Sequence, residues 1–136
     1  MSAISTNYLE LGSRRPLGAG AGSLALLAWL PDDEVDTVLH LLEPVFRERY
    51  PRITSELLKT EIALARQRGY TMLLDVVVEQ MGGIGVPILG GDGKPIAALS
   101  LAALSQRIST RLPLLVPALQ KAGAELSAHY AQRDGA

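Results

Sequence analysis

The sequence predicts an α+β fold in which helices pack on an antiparallel sheet. Its 136 residues are the length of one compact domain, so residues 1–136 are interpreted as a single unit. Helical spacing of apolar residues dominates the first half of the chain and its end, whereas the residues between are β-branched or surround a glycine-rich loop. Helices and strands that are segregated along the chain in this way are typical of α+β domains.

The first elements predicted are a short strand and two helices. Tyr8–Leu11 alternates weakly between polar and apolar side chains, which favours a strand. Gly18–Ser23 is too rich in glycine for a helix interior, but Leu24–Leu30 has high helix propensity and predicts a buried helix with a flexible start. A second helix begins at Asp32, and we expect it to stop at Pro44. Its buried face is Val35, Val38, Leu39 and Leu42.

A third helix is predicted after an irregular connection over Glu43–Arg52. Thr54 or Ser55 caps it, and Gly69 ends it. Tyr70–Glu79 is β-branched and apolar, which predicts a strand. The buried face of the helix is Leu58, Ile62 and Ala65.

A hairpin and a closing helix complete the prediction. Ile84–Leu89 and Pro95–Leu104 flank the loop Gly90–Lys94, which is rich in turn residues. Gly82–Gly85 is interpreted as a turn or bulge, and the alternative is that it lines the binding pocket. Ser109 is predicted to cap the last helix.

The composition excludes several classes of function. Thirteen basic against 14 acidic residues give a net charge of −1, which provides no attraction for nucleic-acid phosphates. The longest strongly apolar stretch, Leu24–Leu30, is far shorter than the ~20 residues that span a bilayer. Met1–Leu11 has no basic segment before an apolar one, so we expect no secretory signal and a cytoplasmic location.

No motif for catalysis, metal binding or a cofactor is found. The chain has no cysteine, no G-x-S-x-G elbow and no H-E-x-x-H, and its histidines, His40 and His129, lie far apart. We therefore predict no catalytic residue, no metal ligand and no cofactor. An enzyme acting on a small molecule is the least favoured class.

Four segments resemble IclR-type transcriptional regulators. Pro16–Ala28 is similar to the family's "PLHA(S/T)A.GKALLA", Arg66–Tyr70 to "R.RGY" and Asp92–Leu101 to "DG.PVAALSVSG", all in the family's order. Ser105–Ile108 resembles the "SRLT" junction before the final helix. The resemblance implies a GAF-like, C-terminal effector-binding domain that binds a small molecule and forms a homo-oligomer, either a dimer or a tetramer.

The resemblance also implies elements outside this sequence. The family contacts DNA through an N-terminal winged helix-turn-helix, and the leading helix and strand of its effector domain would precede Met1. We interpret the chain as either a part of a longer protein or a naturally shortened relative, with DNA contacted only through a domain that is not in this chain.

The sequence departs from the family pattern in the expected binding site. Where the family has two acidic residues, this chain has Leu73 and Val76, and Gly83 stands where a small residue or cysteine is usual. Of the family's paired serines on the late strand, Ser100 remains and the other is Ala102. Fewer polar groups predict an aromatic or otherwise largely apolar effector.

The start of the first predicted helix is the strongest candidate for a binding site. Backbone N–H groups at a helix N-terminus suit a polar ligand head, and glycines let a ligand approach the backbone. Small residues on one face of Pro95–Leu104 would either accept a closely packed helix or leave a cavity. The glycines at the start of the first predicted helix likewise predict either close packing of the helix on the sheet or a binding site. The predicted ligand-binding residues are Gly20, Ala21, Gly22, Ser23, Leu73, Leu74, Met81, Gly83, Ser100 and Ala102.

Effector sensing is therefore the function that the sequence favours. The alternative is a GAF-like module without a ligand that serves only for contact between subunits. An uncovered sheet edge, expected because the leading strand is missing, also predicts self-association.

Overall fold

Helices enclose a small sheet in the computed structural model, which describes residues 18–135, and of residues 133–135 only the backbone. The strand predicted for Tyr8–Leu11 lies outside the described residues. The order of elements confirms the predicted α+β fold: α1 (Ala21–Ala28), α2 (Asp32–Arg49), α3 (Ser55–Arg68), β1 (Thr71–Leu74), β2 (Met81–Leu89), β3 (Pro95–Leu104) and α4 (Ser105–Gly135).

The three strands found in the described part of the chain form an antiparallel sheet in the order β1-β2-β3. Thr71 on β1 pairs with Gly85 on β2, and Gly85 pairs in turn with Ser100 on β3. Gly83 pairs with Ala102 in the same ladder. The strand β2 is thus buried between two layers of helices, and among the strands of residues 18–135 it lies between β1 and β3.

Each face of the sheet carries its own apolar core. The first core joins α1, α2 and α3 to one face, and the second joins α4 to the other. Strand β1 contributes to both, because Leu73 belongs to the first core while Met72 and Leu74 pack against the second. The buried members of the second core are Ile84, Val86, Ile108 and Leu119.

The third helix has the ends that the sequence predicts. The Thr54 side chain accepts a hydrogen bond of 3.0 Å from the backbone N–H of Leu57. Gly69 ends the helix with φ 91°, a left-handed conformation that glycine adopts without strain. The predicted loop Gly90–Lys94 is also confirmed, since the Gly90 N–H donates to the Lys94 carbonyl at 2.9 Å.

The prediction that the second helix ends at Pro44 is wrong. Helix α2 continues to Arg49, so most of the segment predicted as irregular is helical. Phe46, which lies beyond the proline, is only 2% exposed within the first core. Burial of this large side chain offsets the backbone hydrogen bond that proline cannot donate.

The strand predicted over Tyr70–Glu79 is also shorter than expected. Strand β1 ends at Leu74, and residues 75–80 form a loop, named here the 75–80 loop. Asp75 and Gln80 bound it with φ values of 62° and 68°, which interrupt an extended strand. The Asp75 N–H donates to the Met81 carbonyl at 2.9 Å and closes the loop.

Two further predictions, the conformation of Gly82–Gly85 and the start of the last helix, are wrong because contacts with residues distant in sequence decide them. Gly82–Gly85 is not a turn but lies within β2, where the first helix packs closely on the strand. The last helix begins at Ser105 rather than Ser109. The Ser105 N–H donates to the Gln80 carbonyl at 2.8 Å, so the helix starts directly at the end of β3.

Arg66 ties α3 to the end of α1. Its guanidinium donates to the backbone carbonyls of Ala28 at 2.6 Å and Leu30 at 2.7 Å, and to the Asp32 carboxylate at 2.5 Å. These bonds satisfy carbonyls that the end of a helix leaves without an intrahelical partner. The side chain thereby fixes the position of α1 against the rest of the first core.

We expect Arg66→Met to lower the free energy of unfolding by about 2 kcal/mol, because bonds from a charged donor to half-buried carbonyls are lost. Chemical denaturation followed by circular dichroism measures the change. Arg47→Met is the matched control, since Arg47 pairs only with the exposed Glu43 and such pairs contribute little. Equal losses in the two variants would contradict the role given to Arg66.

Candidate functional site

The start of α1 lies directly on the middle of the sheet. The buried Thr71 hydroxyl donates to the Ala21 carbonyl at 2.6 Å and lies 3.3 Å from the Gly85 carbonyl. A Cβ on Gly85 would stand only 2.5 Å from the Ala21 carbonyl oxygen. The first turn of α1 is therefore in backbone contact with β2, and a side chain there has no room.

Small residues continue this close contact toward β3. A Cβ on Gly83 would lie 3.2 Å from the Cβ of Ala21, and one on Gly22 would lie 3.0 Å from the Ser100 hydroxyl. Gly22 is within α1 and has no positive φ, so its small size leaves room for the Ser100 side chain and is not required by the backbone conformation. The glycines thus allow the close helix packing that was one of the two sequence readings.

A small cavity remains beside this contact, beneath the 75–80 loop. Its volume is about 30 Å³, enough for a water molecule but well below the 300–1,000 Å³ of a typical ligand site. Among the described residues that line the cavity, no side chain is ionisable or carries a hydroxyl. The lining residues are Gly20, Ala21, Leu73, Val77, Val78, Met81, Gly82 and Gly83.

The structure brings together half of the ten residues predicted to bind a ligand. Five of them line the cavity: Gly20, Ala21, Leu73, Met81 and Gly83. Gly22 and Ser23 follow in the first turn of α1, while Ser100 and Ala102 lie on the neighbouring β3 and do not line it. Leu74 packs against the second core, on the opposite face of the sheet.

The N-terminus of α1 has no capping side chain. Gly20 precedes the helix with φ 140°, a conformation that favours glycine. The Ser23 hydroxyl is turned back along the chain and donates to the Gly20 carbonyl at 3.1 Å. Ser23 therefore holds the Gly20 carbonyl at the mouth of the cavity, while no side chain at the N-cap position binds the first N–H groups of the helix.

Sequence reasoning missed three residues of this region: Thr71, Val77 and Val78. Gly82 belongs to the segment Gly82–Gly85, for which lining of the pocket is the alternative prediction. Thr71 is a single polar residue on an apolar strand, directly after the Arg66–Tyr70 motif, and this was the available signal. Val77 and Val78 were assigned to a strand because β-branched residues favour one. Only the turn at Asp75 brings them over the cavity.

The 75–80 loop is connected to both helix layers. The Ser105 hydroxyl donates to the Asp75 carboxylate at 2.8 Å, and Arg52 donates to the Asp75 carbonyl at 3.3 Å. Val76 and Val77 pack against the first core. Movement of the loop would therefore change contacts at the start of α4 as well as contacts in the first core, which contains α1.

Other depressions on the surface are wider and open to solvent. One of about 590 Å³ adjoins Trp29 and the hairpin residue Lys94, and another of about 450 Å³ lies beside Phe46 and Thr54. Within residues 18–135, no group of histidine and acidic side chains is arranged to hold a metal ion. No helix in this part of the chain is long and apolar enough to cross a membrane.

These features define an α+β domain with a small, largely apolar cavity between its first helix and its sheet. The family described as "Bacterial transcriptional regulator IclR C-terminal" matches residues 2–128, nearly the whole chain. The chain therefore belongs to this family of transcriptional regulators, whose members are regulators of transcription and not enzymes.

Individual relatives support the same assignment. The HTH-type transcriptional regulator KipR of Bacillus subtilis is 29% identical over 121 residues, which cover 88% of this chain and 48% of KipR. KdgR of Escherichia coli is 30% identical over 128 residues, which cover 93% of this chain and 49% of KdgR. The chain thus spans about half the length of the curated relatives it matches.

Solved structures have the same fold. The C-terminal domain of the E. coli regulator KdgR superposes with a TM-score of 0.75 at 31% identity, over 88% of this chain and 74% of that one. The Thermotoga maritima IclR superposes with a TM-score of 0.65 at 24% identity, over 82% of this chain and 47% of that one. The second likeness concerns the fold alone.

Proposed function

We propose that this chain is the small-molecule sensing domain of an IclR-type regulator and that its effector enters the cavity beneath the 75–80 loop. The observation that carries the proposal is the convergence of α1, β1, β2 and this loop on one cavity, in a family of regulators. The proposed contacts are the five predicted residues that line the cavity, together with Val77, Val78 and Gly82. Leu74 is not among them, because it faces α4.

The composition of the cavity wall supports an aromatic or largely apolar effector. Leu73, Val77, Val78 and Met81 supply aliphatic or thioether surface, and none of the described lining residues is charged. A hydrophilic effector would lose its hydration without gaining hydrogen bonds from side chains. The uncapped backbone at Gly20 would hold one polar end of the effector.

Entry of an effector requires the cavity to enlarge, since about 30 Å³ is too small for it. The 75–80 loop is the segment best placed to move, because it forms one wall of the cavity and pairs with none of the strands in residues 18–135. The hydrogen bonds from Ser105 to Asp75 and Gln80 would then carry the movement to α4. An effector that binds only the open state shifts the population toward it, which is the basis of the proposed signal.

In the complete regulator, we propose that this signal reaches DNA through a domain outside this chain. The relatives named above are HTH-type regulators of about twice this length. A homo-oligomer in the cytoplasm is the simplest setting for such a protein. An oligomerisation module without a ligand remains the second candidate, favoured by the small size of the cavity.

Isothermal titration calorimetry against two sets of compounds tests the proposed function. The first set contains aromatic acids such as benzoate, and the second contains short keto acids such as pyruvate. We expect binding from the first set only. Preference for the short hydrophilic acids would overturn the apolar effector, and no binding from either set or from co-purified compounds would favour the oligomerisation module.

A pair of substitutions at Met81 locates the site. Met81→Glu places a carboxylate in the apolar wall, so we expect affinity for the bound compound to fall at least about tenfold. Met81→Leu conserves volume and should change affinity less than about threefold. Equal affinities in the two variants, with unchanged thermal stability, would show that the effector binds elsewhere.

A further inference from the structure

The 75–80 loop is held in place by polar side chains from two elements that are distant from it in sequence. The Ser105 hydroxyl, at the first residue of α4, donates to the Asp75 carboxylate at 2.8 Å. Arg52, in the connection between α2 and α3, donates to the Asp75 carbonyl at 3.3 Å and lies 3.8 Å from the Glu79 carboxylate. Asp75 is therefore bound through its side chain and through its backbone at the same time.

The backbone of the loop is in an unfavourable conformation where these contacts are made. Asp75 has φ 62° and Gln80 has φ 68°, in the left-handed region that side chains other than glycine adopt at a cost. Such conformations persist where surrounding contacts hold them. The bonds from Ser105 and Arg52 supply contacts of this kind, so their loss favours a different conformation of the loop.

These contacts are weak enough to break while the domain stays folded. The hydrogen bond from Ser105 to Asp75 is exposed to solvent, and the side chains of Arg52 and Glu79 are 52% and 76% exposed. Exposed polar contacts each contribute little to stability, but a small free energy still changes a population several-fold. Val77 and Val78 line the cavity under the same loop, so breaking the contacts would uncover the cavity.

We infer that Ser105, Arg52 and Asp75 form a latch, which holds the 75–80 loop closed over the cavity and lowers the affinity of the cavity for its effector. A ligand that enters only the open state binds with an apparent affinity reduced by the fraction of molecules that are open. This inference rests on the proposed function, because it assigns a regulatory contact to the same cavity. Its sign is diagnostic: removal of the latch strengthens binding, whereas loss of a ligand contact weakens it.

Backbone amides of the loop report on its opening without any effector. The Met81 N–H donates to the Val78 carbonyl at 3.1 Å, and the Asp75 N–H donates to the Met81 carbonyl at 2.9 Å. Because Val78 lines the cavity, movement of the loop away from it frees the Met81 amide for hydrogen exchange. The Gly69 N–H, which donates to the Ala65 carbonyl at 2.7 Å at the end of α3, serves as the internal control.

Ser105→Ala in the full chain removes one half of the latch. The backbone N–H at this position still donates to the Gln80 carbonyl, so the start of α4 keeps its link to the loop. We expect hydrogen exchange at Met81, followed by NMR without effector, to become at least about threefold faster, with Gly69 unchanged. Ser109→Ala, at an exposed position one turn further along α4, is the matched control and should leave Met81 unchanged.

Arg52→Met removes the other half of the latch and keeps a long apolar side chain. We expect the Met81 amide to exchange at least about twofold faster in this variant, because the Asp75 carbonyl and the Glu79 carboxylate lose their contact with Arg52. Arg47→Met is the matched control, since Arg47 pairs with Glu43 within α2. It should leave exchange at Met81 as in the parent.

Calorimetric titration with benzoate tests the effect of the latch on affinity. Ser105→Ala should bind benzoate more tightly than the parent by about the factor found for exchange at Met81, because both measurements report the open fraction. Asp75→Asn keeps an acceptor oxygen for Ser105 and a side chain that tolerates the left-handed conformation. It should therefore remain within about twofold of the parent in both measurements.

Three results would overturn the latch. The first is exchange at Met81 that is unchanged in both Ser105→Ala and Arg52→Met. The second is exchange that rises equally at Met81 and Gly69, which would indicate general destabilisation. The third is faster exchange at Met81 with unchanged or weaker binding of benzoate. If benzoate binds neither the parent nor the variants, the proposed apolar effector fails instead, and the exchange rates alone decide whether the latch holds the loop closed.

Discussion

Replacement of Gly85 by alanine is expected to lower the free energy of unfolding by about 3 kcal/mol, the largest loss from adding one methyl group at the α1–β2 contact. The new Cβ would stand 2.5 Å from the Ala21 carbonyl oxygen and 2.9 Å from the Thr71 hydroxyl. Backbone atoms cannot rotate away as a flexible side chain can. The first turn of α1 would have to lift from the sheet and lose the bond from Thr71.

The control is the substitution of alanine for Gly22, which lies on the helix side of the same contact, in the first turn of α1. Its Cβ would meet the Ser100 hydroxyl at 3.0 Å, and this side chain can rotate. Alanine also favours the helix by roughly 1 kcal/mol over glycine, so we expect Gly22→Ala to stay within about 1 kcal/mol of the parent. Chemical denaturation followed by Trp29 fluorescence measures both variants, and a small loss at Gly85 would contradict the close contact.

Phe46→Ala is expected to lower the free energy of unfolding by about 3–5 kcal/mol, because it empties a large volume in the first core. Phe46 is 2% exposed and lies in the part of α2 beyond Pro44. Leu41→Ala, on the exposed face of the same helix, should change stability by about 0.5 kcal/mol or less. Similar small losses in both variants would support the sequence prediction that the helix ends at Pro44.

The features predicted correctly from sequence are those that neighbouring residues determine. Thr54 caps α3 by reaching a backbone N–H three residues on, and Gly69 ends it through its own left-handed conformation. The loop Gly90–Lys94 likewise closes on itself. These signals need no knowledge of the remaining fold, so a single sequence is enough to find them.

The features predicted wrongly depend on residues that are distant in sequence. Pro44 should stop a helix, but the first core buries Phe46 after it. Gly82–Gly85 has the composition of a turn, but these glycines form a strand because α1 packs against it. Local propensity carries no information about either partner.

The candidate site was only partly predictable for the same reason. A helix start with glycines and a strand with small residues predict either close packing or a cavity, and the choice depends on the distance between layers. The structure contains both, with close packing at Gly22 and Gly85 and a small cavity at Gly20 and Met81. The contribution of Val77 and Val78 requires the turn at Asp75, which the sequence alone did not indicate.

The division of the apolar residues between two cores also has a consequence for the folding pathway. The first core uses residues between Ala19 and Val77, and the second uses residues between Tyr70 and Leu119, so the two draw on successive parts of the chain. The strand pairs β1–β2 and β2–β3 join residues that are near in the chain, whereas α1 reaches the first core and the bond from Thr71 only by closing a loop of about 50 residues. We therefore expect the sheet to form first and the docking of α1, which completes the first core, to form late.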